Sequence, residues 1–198
     1  MAATYLDVAG ARALAAHLHE GQVDKQGRDY FTYHLAVVAH VTPLALHLCS
    51  AHRAGDDLGC VAAELATDGI DLLSAAVQGA WLHDAVEDTA ATLTSLVRAG
   101  VHPIIVDAIE SVTRRDTETY RDLIVRSQAH PLGRLIKLAD NATNLAAGRR
   151  WGSPTAKRLA AERYVPARAR LAESAGLGCD ALEPQIVQAE RYFIGVGC

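Results

Sequence analysis

Apolar residues recur every three or four positions in segment after segment of this chain, and glycine or proline closes most of those segments. Val8, Ala11, Leu14, Ala15 and Leu18 form one such stripe, ended by Gly21. That period places one apolar face on a helix, whereas a strand alternates faces every second residue. Leu35, Val38, Val41, Leu46 and Leu48 mark a second helix, expected to begin extended at Tyr30 and to run to about His52. It carries His34, His40, His47 and His52, with only His34 at its mouth. Ala and Leu dominate while aromatic residues make up only 5%, which favours helices, since small and straight-chain residues lose least on entering one. The expected fold class is all-α.

The remaining segments continue the pattern. A helix is expected over Gly69 to about Glu87, a short one over Leu93 to Val97 stopped by Gly100, and one from Pro103 through Ile104, Val106, Ile109 and Val112. Glu118 to Ala129 and Pro131 to Ala147 follow. Trp151-Gly152-Ser153-Pro154 reads as a turn, with Ser153 capping a basic helix to about Ser174, and a last helix covers Ala181 to Phe193. Ala54 to Asp68 holds loop signals around a short apolar piece and reads as a variable connection. Short loops between helices imply a bundle, here one domain over 1–198 with a motif core from about 11 to 145 and closing helices from about 154 to 193.

Several classes are disfavoured. No basic leader precedes an unbroken apolar run at the N-terminus, and no apolar run of about twenty residues suggests a membrane span. The expectation is a cytoplasmic protein without a membrane partner. Cys49, Cys60, Cys179 and Cys198 form no Cys-x-x-Cys pair, which argues against a zinc ribbon and for reduced, packing cysteines. A formal net charge of -4 argues against general nucleic-acid affinity. Yet Arg114 to Arg170 holds thirteen Lys/Arg against five Asp/Glu, a surplus that fits either a solvated face or an anionic small molecule.

His83-Asp84, in AAVQGAWLHDAVEDT, places an imidazole and a carboxylate side by side among apolar residues. An ionised Asp there is costly unless a cation or hydrogen bonds compensate it. Glu87 falls one turn after His83, and Asp88 one turn after Asp84. Taken alone, the segment fits a metal site and a helix end with solvated acids equally well. His34 and Asp140 are the other polar residues at positions where the apolar pattern predicts burial or a pocket. Two imidazoles and two carboxylates suit Mn, Fe, Co or Zn better than Ca or Mg.

In order, this lone His, His-Asp and Asp pattern resembles the HD-domain metal-dependent phosphohydrolases. HEGQVDKQGRDYFTYH, GAWLHDAVEDTAATLTSL, IESVTRRDTETYRDLI and KLADNATNL are similar to the hydrolase domain of RelA/SpoT-type proteins and small stand-alone alarmone hydrolases, from about Ala11 to Leu145. The resemblance implies a single HD-domain helical bundle in which His34, His83, Asp84 and Asp140 ligate one metal, Mn2+ in this branch. It implies Glu87 and Asp88 as catalytic acids and Asn144 as a nucleotide contact. The implied chemistry is hydrolysis of the 3′-pyrophosphate of a (p)ppGpp-like nucleotide to GDP or GTP and pyrophosphate. A divalent cation acidifies a water and polarises a phosphoryl oxygen, while a neighbouring carboxylate handles the proton. Lys25, Arg28, Arg114, Arg115 and Lys137 are candidate phosphate contacts, since guanidinium and ammonium groups bind phosphate oxygens. Arg121, Arg149 and Arg150 stand behind them, and Tyr30 or Tyr120 fits either a nucleoside pocket or the core.

Two departures bear on the substrate. Where these hydrolases carry Arg-Lys after Gly-Gln, with the arginine packed on guanine, this chain has Gln22-Val23-Asp24-Lys25. A carboxylate cannot stack on a purine as a guanidinium does, so base recognition either comes from elsewhere or uses Asp24 as an acceptor for base or ribose. His34-Leu35 also replaces the usual His-Pro. Other phosphorylated nucleotides (ppApp, NADPH, dNMP or dNTP) stay open as substrates of an HD nucleotidase or phosphatase, as does a catalytically silent nucleotide sensor.

Overall fold

A computed structural model describes residues 4–49, 57–175 and 182–195. In chain order the elements are α1 (Val8–Leu18), a π-helical turn (Phe31–Leu35), α2 (Ala36–Leu48), α3 (Asp57–Thr67), α4 (Leu72–Leu82), α5 (Ala85–Asp88) and α6 (Leu93–Arg98). Then come α7 (Pro103–Val112), α8 (Tyr120–Ala129), α9 (Pro131–Trp151), α10 (Pro154–Ser174) and α11 (Glu183–Gly195). No strand occurs among the described residues, so the all-α expectation holds; one isolated bridge, Val23 to Asp29, closes the loop after α1.

Several helix starts carry side-chain caps for N–H groups that have no partner inside the helix. Asp7 accepts from Gly10 ahead of α1, and Asp71 accepts from Ser74 ahead of α4. Reciprocal Thr92/Ser95 and Thr119/Asp122 pairs open α6 and α8. Pro103 sits in the first turn of α7, where its missing N–H costs nothing. Gly100 ends α6 at φ 93, and its carbonyl accepts the Leu6 N–H, tying the N-terminal segment to the α6–α7 corner.

Helices α2, α4 and α9 pack against one another. The first shell around α4 adds α1 and α7, and that around α9 adds α7, α8, α10 and α11. Alanines at these contacts (Ala45, Ala75, Ala76, Ala80, Ala139, Ala142) bring the axes close, while Leu35, Ile105, Ile109, Leu135 and Ile136 fill the space between. Where α9 crosses α7, a Cβ at Gly133 would lie 1.9 Å from Ser111 Oγ, so only glycine fits that approach.

Four expectations need correction. Tyr30 does not begin extended: Asp29 accepts the Thr32 N–H at 2.7 Å and starts the helix early, and the chain then makes a wide turn closed from Ala36 N–H to Phe31 O. The Ala54 to Asp68 connection contains α3, whose Leu58 and Leu65 are fully buried; the Gly59 that looked like a loop signal sits within the helix. The His-Asp helix is two helices, because Asp84 at φ -99, ψ 0 breaks the spiral between α4 and α5. Finally, Phe31–Leu48 is, by length and composition, long and apolar enough to cross a membrane. Its apolar residues, among them Leu35, Val37, Val38, Val41 and Ala45, are instead buried in the helical core. Smaller shifts extend α9 through Trp151 and move the last helix to Glu183–Gly195. His52, Cys179, Cys198 and the side chains of Arg149 and Arg150 lie outside what is described.

Candidate active site

Three breaks or crossings in the helical core meet at one point. His34 arrives from the π-helical turn, held there by Phe31, which stacks on Trp81 of α4 at 5.0 Å between ring centroids. His83 and Asp84 arrive at the α4–α5 break, and Asp140 from the middle of α9. A ligand atom from each of His34, His83 and Asp140 lies within 4.8 Å of the others. Asp84 joins them: its Oδ2 is 2.9 Å from His83 Nε2 and 3.3 Å from His34 Nε2. Asp140 Oδ1 lies 3.4 Å from His34 Nε2 and 3.8 Å from His83 Nε2. All four residues of the expected ligand set therefore converge.

The donor chemistry fits a divalent transition metal. His83 Nδ1 is 2.8 Å from the Ala80 carbonyl, which can only accept, so Nδ1 carries a proton and Nε2 is the nitrogen turned to the centre, where it can hold either a second proton or a metal. Both Nε2 atoms, on His34 and His83, are buried and satisfy no hydrogen bond despite the nearby carboxylates. Two orphaned imidazole nitrogens facing two carboxylate oxygens are what a cation between them would satisfy. Burial opposes protonation of both rings, yet Asp84 and Asp140 outweigh it and raise both, His83 to about 10. Burial likewise opposes ionisation of Asp84 and Asp140, and the facing imidazoles, with Lys137 beside Asp140, hold both well below the ordinary carboxylate value. The centre demands positive charge, whether from protons or from a metal.

Outer contacts fix the ligands. Lys137 Nζ is 2.8 Å from Asp140 Oδ2, and Asn144 Nδ2 donates to Asp140 Oδ1. Tyr30 donates its hydroxyl to Asp84 Oδ2 at 2.5 Å and stacks on the His34 ring at 4.8 Å. Burial and the charge of Asp84 push the Tyr30 phenol far above its ordinary value, so it stays a donor. If the centre holds a divalent metal, Tyr30→Phe is expected to weaken its binding about tenfold to a hundredfold, as loss of an outer-shell partner does. Metal titration checks this, and unchanged affinity would assign the tyrosine to packing alone.

The centre opens into a cleft of about 660 Å³, within the size range of small-molecule sites. Glu87 and Asp88 line it from α5. Glu87 Oε2 accepts the Arg114 N–H at 3.0 Å, while Asp88 Oδ2 is 3.4 Å from Gln22 Nε2, whose own amide oxygen is 2.6 Å from His19 Nδ1. Lys25, Arg114, Lys137 and Asn144 also line the cleft, as the sequence reading expects.

Two candidates behave differently. Arg115 does not line the cleft; its guanidinium pairs with Glu110 at 3.0 Å. Arg28 lines the cleft, but Asp24 holds its fork: Nε and Nη2 lie 2.8 and 2.7 Å from Oδ2, and the guanidinium sits 5.0 Å from the Tyr33 ring centroid. Asp24 Oδ1 meanwhile accepts the backbone N–H groups of Gln26 and Arg28. Burial works against ionisation of Asp24, but these bonds outweigh it and hold the carboxyl below its ordinary value. Asp24 is thus a loop organiser whose oxygens are already engaged, which favours base recognition from elsewhere over Asp24 as an acceptor. Sequence reading also missed Tyr33, Arg163 and Tyr164, which line the cleft; the last two lie on α10, a helix whose basic character reads as solvent-facing. Arg121 is exposed and does not line the cleft.

A solved structure reported under the words "A metazoan ortholog of SpoT hydrolyzes ppGpp and plays a role in starvation responses" superposes with a TM-score of 0.57, covering 96% of this chain and 98% of that one at 21% sequence identity. The two chains share one fold. The expected all-α helical bundle is therefore borne out, and the likeness extends over nearly the whole chain rather than the motif core alone. No family model and no curated protein matches the sequence.

Proposed function

We propose that this protein is a metal-dependent phosphohydrolase that removes the 3′-pyrophosphate of a (p)ppGpp-like nucleotide, releasing pyrophosphate and GDP or GTP. The observation that carries the reading is the pair of buried, unsatisfied Nε2 atoms of His34 and His83 facing Asp84 and Asp140 at the floor of the cleft. The shared fold with a protein whose printed description says that it hydrolyzes ppGpp supports the substrate class. His34, His83, Asp84 and Asp140 would hold the metal, with Mn2+ the expected occupant. When bound, such a cation supplies Lewis acidity at a water and at a phosphoryl oxygen.

The chain's own residues do the rest. Glu87 and Asp88 orient the attacking water and take its proton as its oxygen bonds to phosphorus. The bond from that phosphorus to the ribose 3′-oxygen breaks, and the 3′-oxygen leaves as a hydroxyl once protonated. Lys25 and Arg114 neutralise the polyphosphate, while Lys137 and Asn144 keep Asp140 in place.

The engagement of Asp24 with Arg28 favours a second reading of the base: a nucleotide other than guanine, such as ppApp or NADPH, handled by the same centre. Purified protein with Mn2+ and a panel of ppGpp, ppApp, NADPH and dNTPs decides between them. Pyrophosphate from ppGpp is the expected product; turnover restricted to another substrate moves the reading to that nucleotide. Tight binding with no product from any of them would make the protein a sensor and defeat the proposal.

A further inference from the structure

The cleft's cations divide by what already neutralises them. Arg28 is held by Asp24 and Lys137 by Asp140, so each comes with its own carboxylate. Lys25, Arg114 and Arg163 do not: among the described residues no carboxylate pairs with their side chains, and of the three it is Arg163 whose guanidinium rests on rings, 4.1 Å from the Tyr120 centroid and 5.4 Å from that of Tyr164. Neighbouring Glu162 is turned to Arg158. The platform is itself fixed, because Tyr120 accepts from Asn141 Nδ2 at 3.0 Å and meets Tyr164 edge-on at 6.0 Å.

A guanidinium stacked by its face keeps its N–H edge for an in-plane acceptor. Arg28 shows the contrast, since there the same edge is spent on a carboxylate. Ala160, one turn before Arg163, is small and also lines the cleft, leaving room beside that edge. The α5 acids approach the centre from the side of the loop after α1, where Gln22 reaches Asp88. Tyr120, Arg163 and Tyr164 instead enter the cleft from α8 and α10.

From this placement we propose that Arg163 binds a phosphate or diphosphate group that the substrate carries away from its scissile bond. The inference rests on the phosphorylated-nucleotide reading above and deepens it: the substrate is anionic at two separated points, one at the metal centre and one on α10. A nucleoside with phosphate at both ribose ends meets that requirement, whereas one phosphorylated only at the scissile position does not.

Calorimetric titration of the full chain with Mn2+ present tests it without turnover, using GDP against guanosine and ADP against adenosine. Wild type is expected to prefer the diphosphate over its nucleoside by tenfold or more. Arg163→Gln is expected to weaken diphosphate binding about tenfold to a hundredfold, the worth of a charged hydrogen bond, and to leave nucleoside binding unchanged. Arg163→Lys recovers part of the loss. A preference for diphosphate that survives Arg163→Gln, an equal loss for nucleoside and diphosphate, or no binding of either pair overturns the inference. So does inorganic pyrophosphate alone binding as tightly as GDP, which would make this a free-anion site. Failure of the proposed reaction reads out separately, as a wild type that binds diphosphates through Arg163 but hydrolyses nothing in the panel.

Discussion

Asp84→Ala is expected to leave the protein without bound metal and to lower turnover by at least about a thousandfold. Asp84 Oδ2 is the atom on which the centre converges, within 2.5 Å of the Tyr30 hydroxyl, 2.9 Å of His83 Nε2 and 3.3 Å of His34 Nε2. Its removal takes away one of two negative charges that draw a cation between the imidazoles. A metal contributes several kcal/mol to stabilising a phosphoryl transition state, and each 1.36 kcal/mol is a factor of ten. Metal content after desalting and the rate of product release are the two measurements. A metal-free variant that turned over like wild type would take the metal out of the mechanism.

Lys137→Met is expected to destabilise the protein in chelator by less than the about 3–5 kcal/mol that follows from leaving one member of a buried ion pair alone, because His34 and His83 still face Asp140. Lys137 is 6% exposed and Asp140 5%, so neither charge has water to fall back on. Burial opposes the lysine's charge, but Asp140 and Asp84 outweigh it and raise Lys137 above its ordinary 10.5, while Asp140 is held below 3.8. The signs give the window. The raised lysine stabilises fully below pH 10.5 and loses this as pH climbs through its folded value, and the depressed carboxylate stabilises above 3.8 and loses this as pH falls through its own. The gap between wild type and variant should therefore be flat across neutral pH and narrow only in strong acid or strong base. A divalent cation held at this centre would supply the missing charge to Asp140, so urea melts with added Mn2+ should show a smaller gap. An equal gap with and without metal would mean that Lys137 acts by packing alone.

The helices and the candidate metal ligands were legible in the sequence for different reasons. Stripes such as Val8, Ala11, Leu14, Ala15 and Leu18 report a helix directly, because burial of one face sets the period. His34, His83, Asp84 and Asp140 stood out because ionisable groups at apolar-pattern positions need compensation. What escaped notice was local geometry without a compositional mark. The break at Asp84 involves neither glycine nor proline, so a continuous helix was the natural reading. Partner choice escaped as well: Arg114 and Arg115 are identical in type and adjacent, and nothing in their type shows that the first lines the cleft while the second meets Glu110. The Asp24–Arg28 pair was visible as two charges four residues apart, but not as one closed unit, since the loop that closes it is defined by the Val23 to Asp29 bridge. Arg163 was hidden among solvent-facing arginines because its distinguishing feature is a pair of rings on two helices.

The π-helical turn at Phe31–Leu35 works as a phase shifter. One residue advances a helix by about 100°, so the extra residue in this wide turn sets the azimuth of His34 separately from that of the α2 face that begins at Ala36. Core packing and ligand aim are thereby uncoupled at a single joint: insertions or deletions of one residue here would re-aim the histidine while the buried stripe of α2 keeps its register.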